Sequence, residues 1–225
     1  MKRLLHAVLL VALCAVSAAA QSQTLPPPFP RTNATKLFEN DRINVWDIVW
    51  PKGQPTALHR HVYDQVGTYY ARGGRTITTP DGQARSNITE IGALSDTRRG
   101  TTHVEEGTTD PPLRAVFIEL KREEPSGAAT DSTTGSIFPR DNAKQVMDTA
   151  RVAAWDVVWS AAGTSPLRYQ ASRETVLVFL GDGQVRRGSG IVPVTSGTMI
   201  HLDRGTPERL DMVSGSPRVL FFELK

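Results

Sequence analysis

Arg42-Ile43-Asn44-Val45-Trp46-Asp47-Ile48-Val49-Trp50 decides the fold. It is rich in β-branched and aromatic residues, the composition of a strand. It returns later in the chain as Arg151-Val152-Ala153-Ala154-Trp155-Asp156-Val157-Val158-Trp159. The ends of the two units agree as well, Phe117-Ile118-Glu119-Leu120-Lys121 corresponding to Phe221-Phe222-Glu223-Leu224-Lys225. Agreement at both ends of a unit is the mark of an internal duplication, each copy having the size of a small domain.

Working outward, each copy alternates short runs rich in Val, Ile, Thr, Tyr and Trp, such as Val66 to Tyr70, Arg75 to Thr79 and Leu113 to Leu120, with Gly, Pro and Asp punctuation. No stretch holds a helical period, so an all-β pair of tandem antiparallel barrels is expected. Glu123 to Ser136 has the Gly, Ala, Ser and Thr content of a solvated linker, and Pro26-Pro27-Pro28 and Pro30 mark an extended segment. The expected layout is a leader over 1–20, a Pro-rich extended arm over 21–35, a first barrel over 36–122, a linker over 123–139 and a second barrel over 140–225.

The leader is read from Lys2 and Arg3, the apolar run from Leu4 to Val16, and the small residues Ser17 to Ala20 before Gln21. That is the pattern of a secretory signal peptide, and the run is too short for a membrane span. A periplasmic or secreted protein is expected, with no membrane association once the leader is removed. Leu13 stands where a lipidated Cys14 would need a small neighbour, which argues against a lipid anchor. Cys14 is the single cysteine of the chain. Its removal with the leader leaves nitrogen and oxygen as the only metal-binding donors. Two units of the formal net charge of +3 are Lys2 and Arg3, so the remainder is close to neutral and offers nothing to attract nucleic acid.

The chemistry sits in the first copy. Gly53 is followed by His59, His61 and Gln65, and further on come Gly92, Arg98, Gly100 and His103. His59 and His61 are two apart and so share one face of a strand. Gly, five residues, His-x-His, then a polar residue, followed later by Gly, five residues, x-x-Gly, two residues, His, resembles the paired signature of the cupin superfamily. The resemblance covers essentially the whole first copy and implies a double-stranded β-helix, or jelly roll, for each barrel. It implies that His59, His61 and His103 point into the first barrel and hold one divalent transition metal, with Zn, Mn, Fe, Cu and Ni not distinguished. Gln65 stands where the family usually has a ligand Glu and would offer a carbonyl oxygen. Arg98 stands where the family usually has Pro, which alters a turn. Asp64 is a substitute ligand only if its strand is bulged. Tyr69, four residues after Gln65, would line a substrate pocket from the same strand face.

Without gaps, His59 falls on Arg168, His61 on Gln170 and Gln65 on Glu174, while Arg204-Gly205 places Glu208 opposite His103. A guanidinium has no lone pair for a cation, so the second barrel is expected to be metal-free. Arg168, Glu174 and Glu208 would form an ion-pair cluster in place of the metal. His201 falls outside the motif, and Trp46, Trp50, Trp155 and Trp159 are expected in barrel cores or between the barrels.

Neutral imidazoles and an amide leave the charge of a metal uncancelled, which favours a small anionic ligand. Three-histidine cupins resemble dioxygenases, so a metal-dependent enzyme of that type is one expectation, with isomerases and hydrolases on the same fold as competitors. A non-catalytic small-ligand or metal-binding bicupin is the alternative. Exposed barrel faces would allow a homodimer.

Overall fold

The structure is a computed structural model. It describes residues 24–122, 138, 142–161, 168–171, 173–204 and 209–225, with the backbone alone at 168, 170 and 209. The leader and most of the expected linker lie outside the described residues. Among the described residues the regular elements are strands, with no helix.

The first copy holds β1 (Ala34–Glu39), β2 (Ile43–Trp50), β3 (His59–Arg60), β4 (Asp64–Ala71), β5 (Gly73–Thr78), β6 (Ala84–Thr89), β7 (Leu94–Thr97), β8 (Thr102–Gly107) and β9 (Leu113–Leu120). They form two antiparallel sheets in the orders β1-β2-β9-β4-β7 and β3-β8-β5-β6. The second copy holds β10 (Ala143–Asp148), β11 (Val152–Val158), β12 (Arg168–Gln170), β13 (Thr175–Phe179), β14 (Gly183–Arg187), β15 (Gly190–Val194), β16 (Met199–Leu202), β17 (Arg209–Gly215) and β18 (Arg218–Leu224). Its sheets run β10-β11-β18-β13-β16 and β12-β17-β14-β15, the same order strand for strand. The duplication seen in the sequence is therefore a duplication of topology.

The repeated strand is apolar on both faces because both faces are covered. Trp46, Ile48 and Trp50 of β2 point into the first barrel beside Tyr69, Leu113 and Phe117, while Ile43 and Val45 point at the second barrel. There they meet a single apolar cluster that includes Val152, Ala154 and Phe222, the counterparts of Ile43, Val45 and Ile118. Each copy thus offers the same face to the other. Two ion pairs close the contact reciprocally: Arg42 to Glu174 at 2.6 Å and Arg151 to Asp64 at 3.1 Å. Gly67 sits where β4 and β9 come together, and a Cβ there would lie 2.3 Å from the Val116 carbonyl oxygen, so no larger residue fits.

The segment expected as an arm is extended but is sealed to the first barrel. The Arg60 amide donates to the Pro26 carbonyl at 3.0 Å, and the Phe29 ring stacks on Trp46 with centroids 4.8 Å apart. In the second copy Phe138 stacks on Trp155 at the same separation. Phe29-Pro30-Arg31 and Phe138-Pro139-Arg140 are the same motif. The repeat therefore reaches further upstream than the strand pattern indicated. All four tryptophans of the repeated strands are buried in barrel interiors, as expected of core residues.

Candidate metal centre

His59 pairs directly with His103 across β3 and β8, which brings their imidazoles edge to face inside the barrel, centroids 4.7 Å apart. Arg60 is exposed while His59 and His61 are buried, so the alternation read from the sequence holds just past the end of this short strand. Two backbone hydrogen bonds fasten the loop end: the His61 amide to the Thr101 carbonyl at 2.9 Å, and the Gly100 amide to the His61 carbonyl at 2.8 Å. Gly53 and Gly100, the motif glycines ahead of the two histidine segments, have φ of 70° and 87°, a conformation that side chains disfavour. Arg98 lies in the turn before Gly100 and points outward to Asp96 and Asp64.

The three imidazoles converge, one ring nitrogen from each lying within 4.8 Å of the others. Nδ1 of His59 lies 3.0 Å from the Ala57 carbonyl oxygen, to which it donates, so Nε2 carries the lone pair. That Nε2 is buried and has no hydrogen-bond partner among the described residues. A buried acceptor without a donor costs about 1–3 kcal/mol, and a cation would relieve it. Nε2 of His61 and Nε2 of His103 face each other at 3.3 Å. Burial first, and then the neighbouring His103 and His59, bring His61 down to about 4. Burial brings His103 down to about 4 against the pull of Glu105. Near neutral pH the rings are therefore uncharged, with lone pairs to give. This donor set fits a divalent transition metal.

Gln65 is buried on the interior face of β4, opposite Glu119, and its amide nitrogen has no partner among the described residues. Asp64 points the other way, accepting hydrogen bonds from the Arg99 amide and from Arg151, which removes it as a substitute ligand. Tyr69 is interior, as its spacing from Gln65 implied, and its hydroxyl accepts a 2.7 Å hydrogen bond from Arg75.

Glu105, Arg75, Arg31 and Trp50 form a buried polar group beside the histidines that the sequence reading passed over. Glu105 Oε1 lies 3.8 Å from His103 Nε2 and accepts from Arg75 at 2.5 Å; Oε2 accepts from the Trp50 indole and lies 3.1 Å from Arg31. Burial pushes the Glu105 carboxyl up, but Arg75 and Arg31, with His103 and the indole hydrogen bond, outweigh it and hold it at about 2. The signal was present: Glu105 is two residues from His103, so it must share its face, and β8 buries His103, Glu105 and Gly107 alike. Arg31 was legible only through the repeated Phe-Pro-Arg.

Cross-strand pairing corrects the ungapped alignment of the second barrel, by one residue at Arg168, Gln170 and Glu174 and by two at Glu208. Thr175 pairs with Glu223 as Gln65 pairs with Glu119, and Tyr169 pairs with Leu210 as His59 pairs with His103. Tyr169, Ala171, Thr175 and Leu210, all buried, thus stand where the first barrel has His59, His61, Gln65 and His103. One residue of slip exchanges the two faces of a strand, which is why Arg168, Gln170 and Glu174 were mistaken for the equivalents. Glu174 faces the first barrel, binding Arg42, Asn40 and His201. His201 also stacks on Phe38, centroids 3.9 Å apart. Glu174 therefore belongs to the contact between barrels and not to an internal ion-pair cluster; Glu208 and the Arg168 side chain lie outside the described residues. The interior is filled by Trp159, Phe179, Phe221, Met212 and their neighbours, and the Tyr169 hydroxyl is bonded to Thr175 at 2.8 Å.

No protein-family model matches the chain, and no curated protein does. Solved structures do match. Ylba from E. coli superposes with a TM-score of 0.60 at 9% identity, over 85% of this chain and 82% of that one. The putative glyoxylate induced protein of Pseudomonas aeruginosa gives 0.59 at 14%, over 82% and 75%. The oxalate decarboxylase of Lactobacillus farciminis, in its formate complex, gives 0.54 at 11%, over 83% and 77%. A cupin 2 conserved barrel domain protein of Leptotrichia buccalis gives 0.57 at 11%, over 85% and 88%. At such identities the likeness is one of fold.

Proposed function

We propose, from a chain that carries the cupin fold in both halves, an exported metal-binding bicupin whose first barrel works on a small anionic substrate and whose second barrel is a structural partner. The observation that carries this reading is the convergence of three buried, neutral imidazoles, one of which holds an orphaned Nε2 toward the other two. His59, His61 and His103 would hold the ion, with the Gln65 carbonyl as a further donor. A divalent ion there supplies a positive charge that binds and polarises an anionic oxygen ligand.

The chain's own residues prepare for that role. The Ala57 carbonyl fixes the His59 ring and its tautomer. Glu105 sets a negative charge beside His103. Trp50, Tyr69 and Phe117 pack as an aromatic wall in the barrel interior. A metal-dependent enzyme of dioxygenase type is the reading we favour, and the formate complex of a decarboxylase on the same fold is in keeping with a small carboxylate as its class of ligand. The neutral Gln65 and the near-complete burial of the histidines favour one second reading, a bicupin that binds metal or ligand without turnover. The signal-like leader supports a periplasmic or secreted location under either reading. Metal acquired there comes under competition in which nitrogen ligands favour Cu and Zn over Fe and Mn.

The test is metal analysis of untagged protein purified from the periplasm without added metal, beside the His59→Ala variant. One equivalent of a single metal, lost in the variant, upholds the reading and directs activity screens to the chemistry of that ion. Absence of metal from a folded wild-type protein refutes it.

A further inference from the structure

Two guanidinium groups in the interior of the first barrel share one carboxylate. Arg75 is satisfied on Nη1 by Glu105 and on Nη2 by Tyr69. Arg31 has only the 3.1 Å approach of its Nη2 to Glu105, and Nε, Nη1 and Nη2 are all buried without a hydrogen bond among the described residues. The group is held in place by flanking rings, its Cζ lying 5.4 Å from the Phe29 centroid and 5.7 Å from that of Trp50. Trp50 carries Arg75 at 4.8 Å as well. Both of these arginines stay protonated, so this group bears a net positive charge beside neutral histidines. A buried cation and its unpaired N–H groups are costly to leave uncompensated.

Resting on the proposed small-anion reading, we infer that Arg31 is the recognition group for a small carboxylate bound beside the three histidines. The reason is geometric as well as electrostatic. A planar fork lying against the Phe29 and Trp50 rings keeps parallel N–H donors, which match the two oxygens of a carboxylate. Arg31 comes from the Phe-Pro-Arg segment that stacks on Trp46, so one segment both covers the barrel and supplies the specificity. Glu105 links the two parts of the site, touching Arg31 with one oxygen and His103 with the other.

The experiment titrates malonate into the full-length mature protein by calorimetry, after chelator treatment and again after zinc loading, for wild type, Arg31→Met, Arg31→Lys and His59→Ala. Near-ultraviolet circular dichroism and cooperative thermal unfolding establish that each variant folds. Malonate is expected to bind the wild type, Arg31→Met to weaken it by about 10- to 100-fold, and Arg31→Lys to fall between, with zinc retained in the wild type and both Arg31 variants. Arg31-dependent binding in a wild type that takes up no zinc would sustain this inference while refuting the metal reading. Malonate binding unchanged in Arg31→Met but abolished in His59→Ala would overturn the inference and leave the metal reading standing. Failure of the wild type to bind malonate in either state would also overturn it, reducing Arg31 to a counter-ion of Glu105.

Discussion

Arg42 and Glu174, one from each barrel, are joined at 2.6 Å, and Arg151 and Asp64, their counterparts in the other copy, are joined at 3.1 Å. The two copies therefore meet as the halves of a symmetric dimer would, fused in one chain, with each arginine reaching the acid at the start of its neighbour's β4 or β13. Glu174 is nearly buried and also accepts hydrogen bonds from Asn40 and His201. Glu174→Ala should destabilise the protein by about 2–3 kcal/mol, since it strands several donors in a mostly dry contact. In a double-mutant cycle with Arg42→Met, measured by urea unfolding, the two changes should cost less together than their sum. Strict additivity would mean that the pair contributes no coupling.

Acid should weaken the same contact. Burial pushes the Glu174 carboxyl up, but hydrogen bonds from His201 and Asn40 and the charge of Arg42 outweigh it, leaving the folded value below the ordinary one. The stabilisation is then complete above the unfolded carboxylate value, about 4.3, and is lost as pH falls through the lower folded value. The titratable and charged groups around Glu174 are Arg42, His201 and, 3.9 Å from His201, Asp203. Stability of the wild type should fall below about pH 4 more steeply than that of Glu174→Gln. Parallel acid profiles would remove Glu174 as the source.

Metal retention should follow the first barrel alone. His59→Ala, His61→Ala and His103→Ala are each expected to abolish stoichiometric metal binding, read by plasma mass spectrometry of the purified protein. Tyr169→Phe, at the position equivalent to His59, should leave the metal content unchanged. Gln65→Glu adds an anionic donor and should slow removal of the metal by chelator. Loss of metal from Tyr169→Phe would place the site in the wrong barrel.

The stacked pair of Phe29 on Trp46 makes the segment before β1 part of the fold. Phe29→Ala should cost about 3 kcal/mol, the usual penalty for deleting a buried aromatic ring, and Phe29→Leu distinctly less. Thermal and denaturant unfolding measure both. A cost below about 1 kcal/mol for Phe29→Ala would show that the ring rests on the barrel without contributing to it.

By itself the sequence determined the duplication and the all-β class, which follow from local facts: a strand repeated with its tryptophans and an alternation of two that also puts His59 and His61 on one face. The meeting of these two with His103 was implied by the resemblance of their spacing to the cupin signature. The sequence also held Glu105, two residues from His103 on the same face, and the repeated Phe-Pro-Arg, although a reading tuned to strands passed over both. Only the tertiary structure decided that Tyr169, Ala171, Thr175 and Leu210 replace the ligand positions in the second barrel. A register is set by cross-strand pairing, and a slip of one residue, invisible in an ungapped comparison, turns every side chain to the other face. Only the structure decided that Glu174 faces the neighbouring barrel and that Arg31 enters the first, because burial of a charge depends on which distant groups close around it.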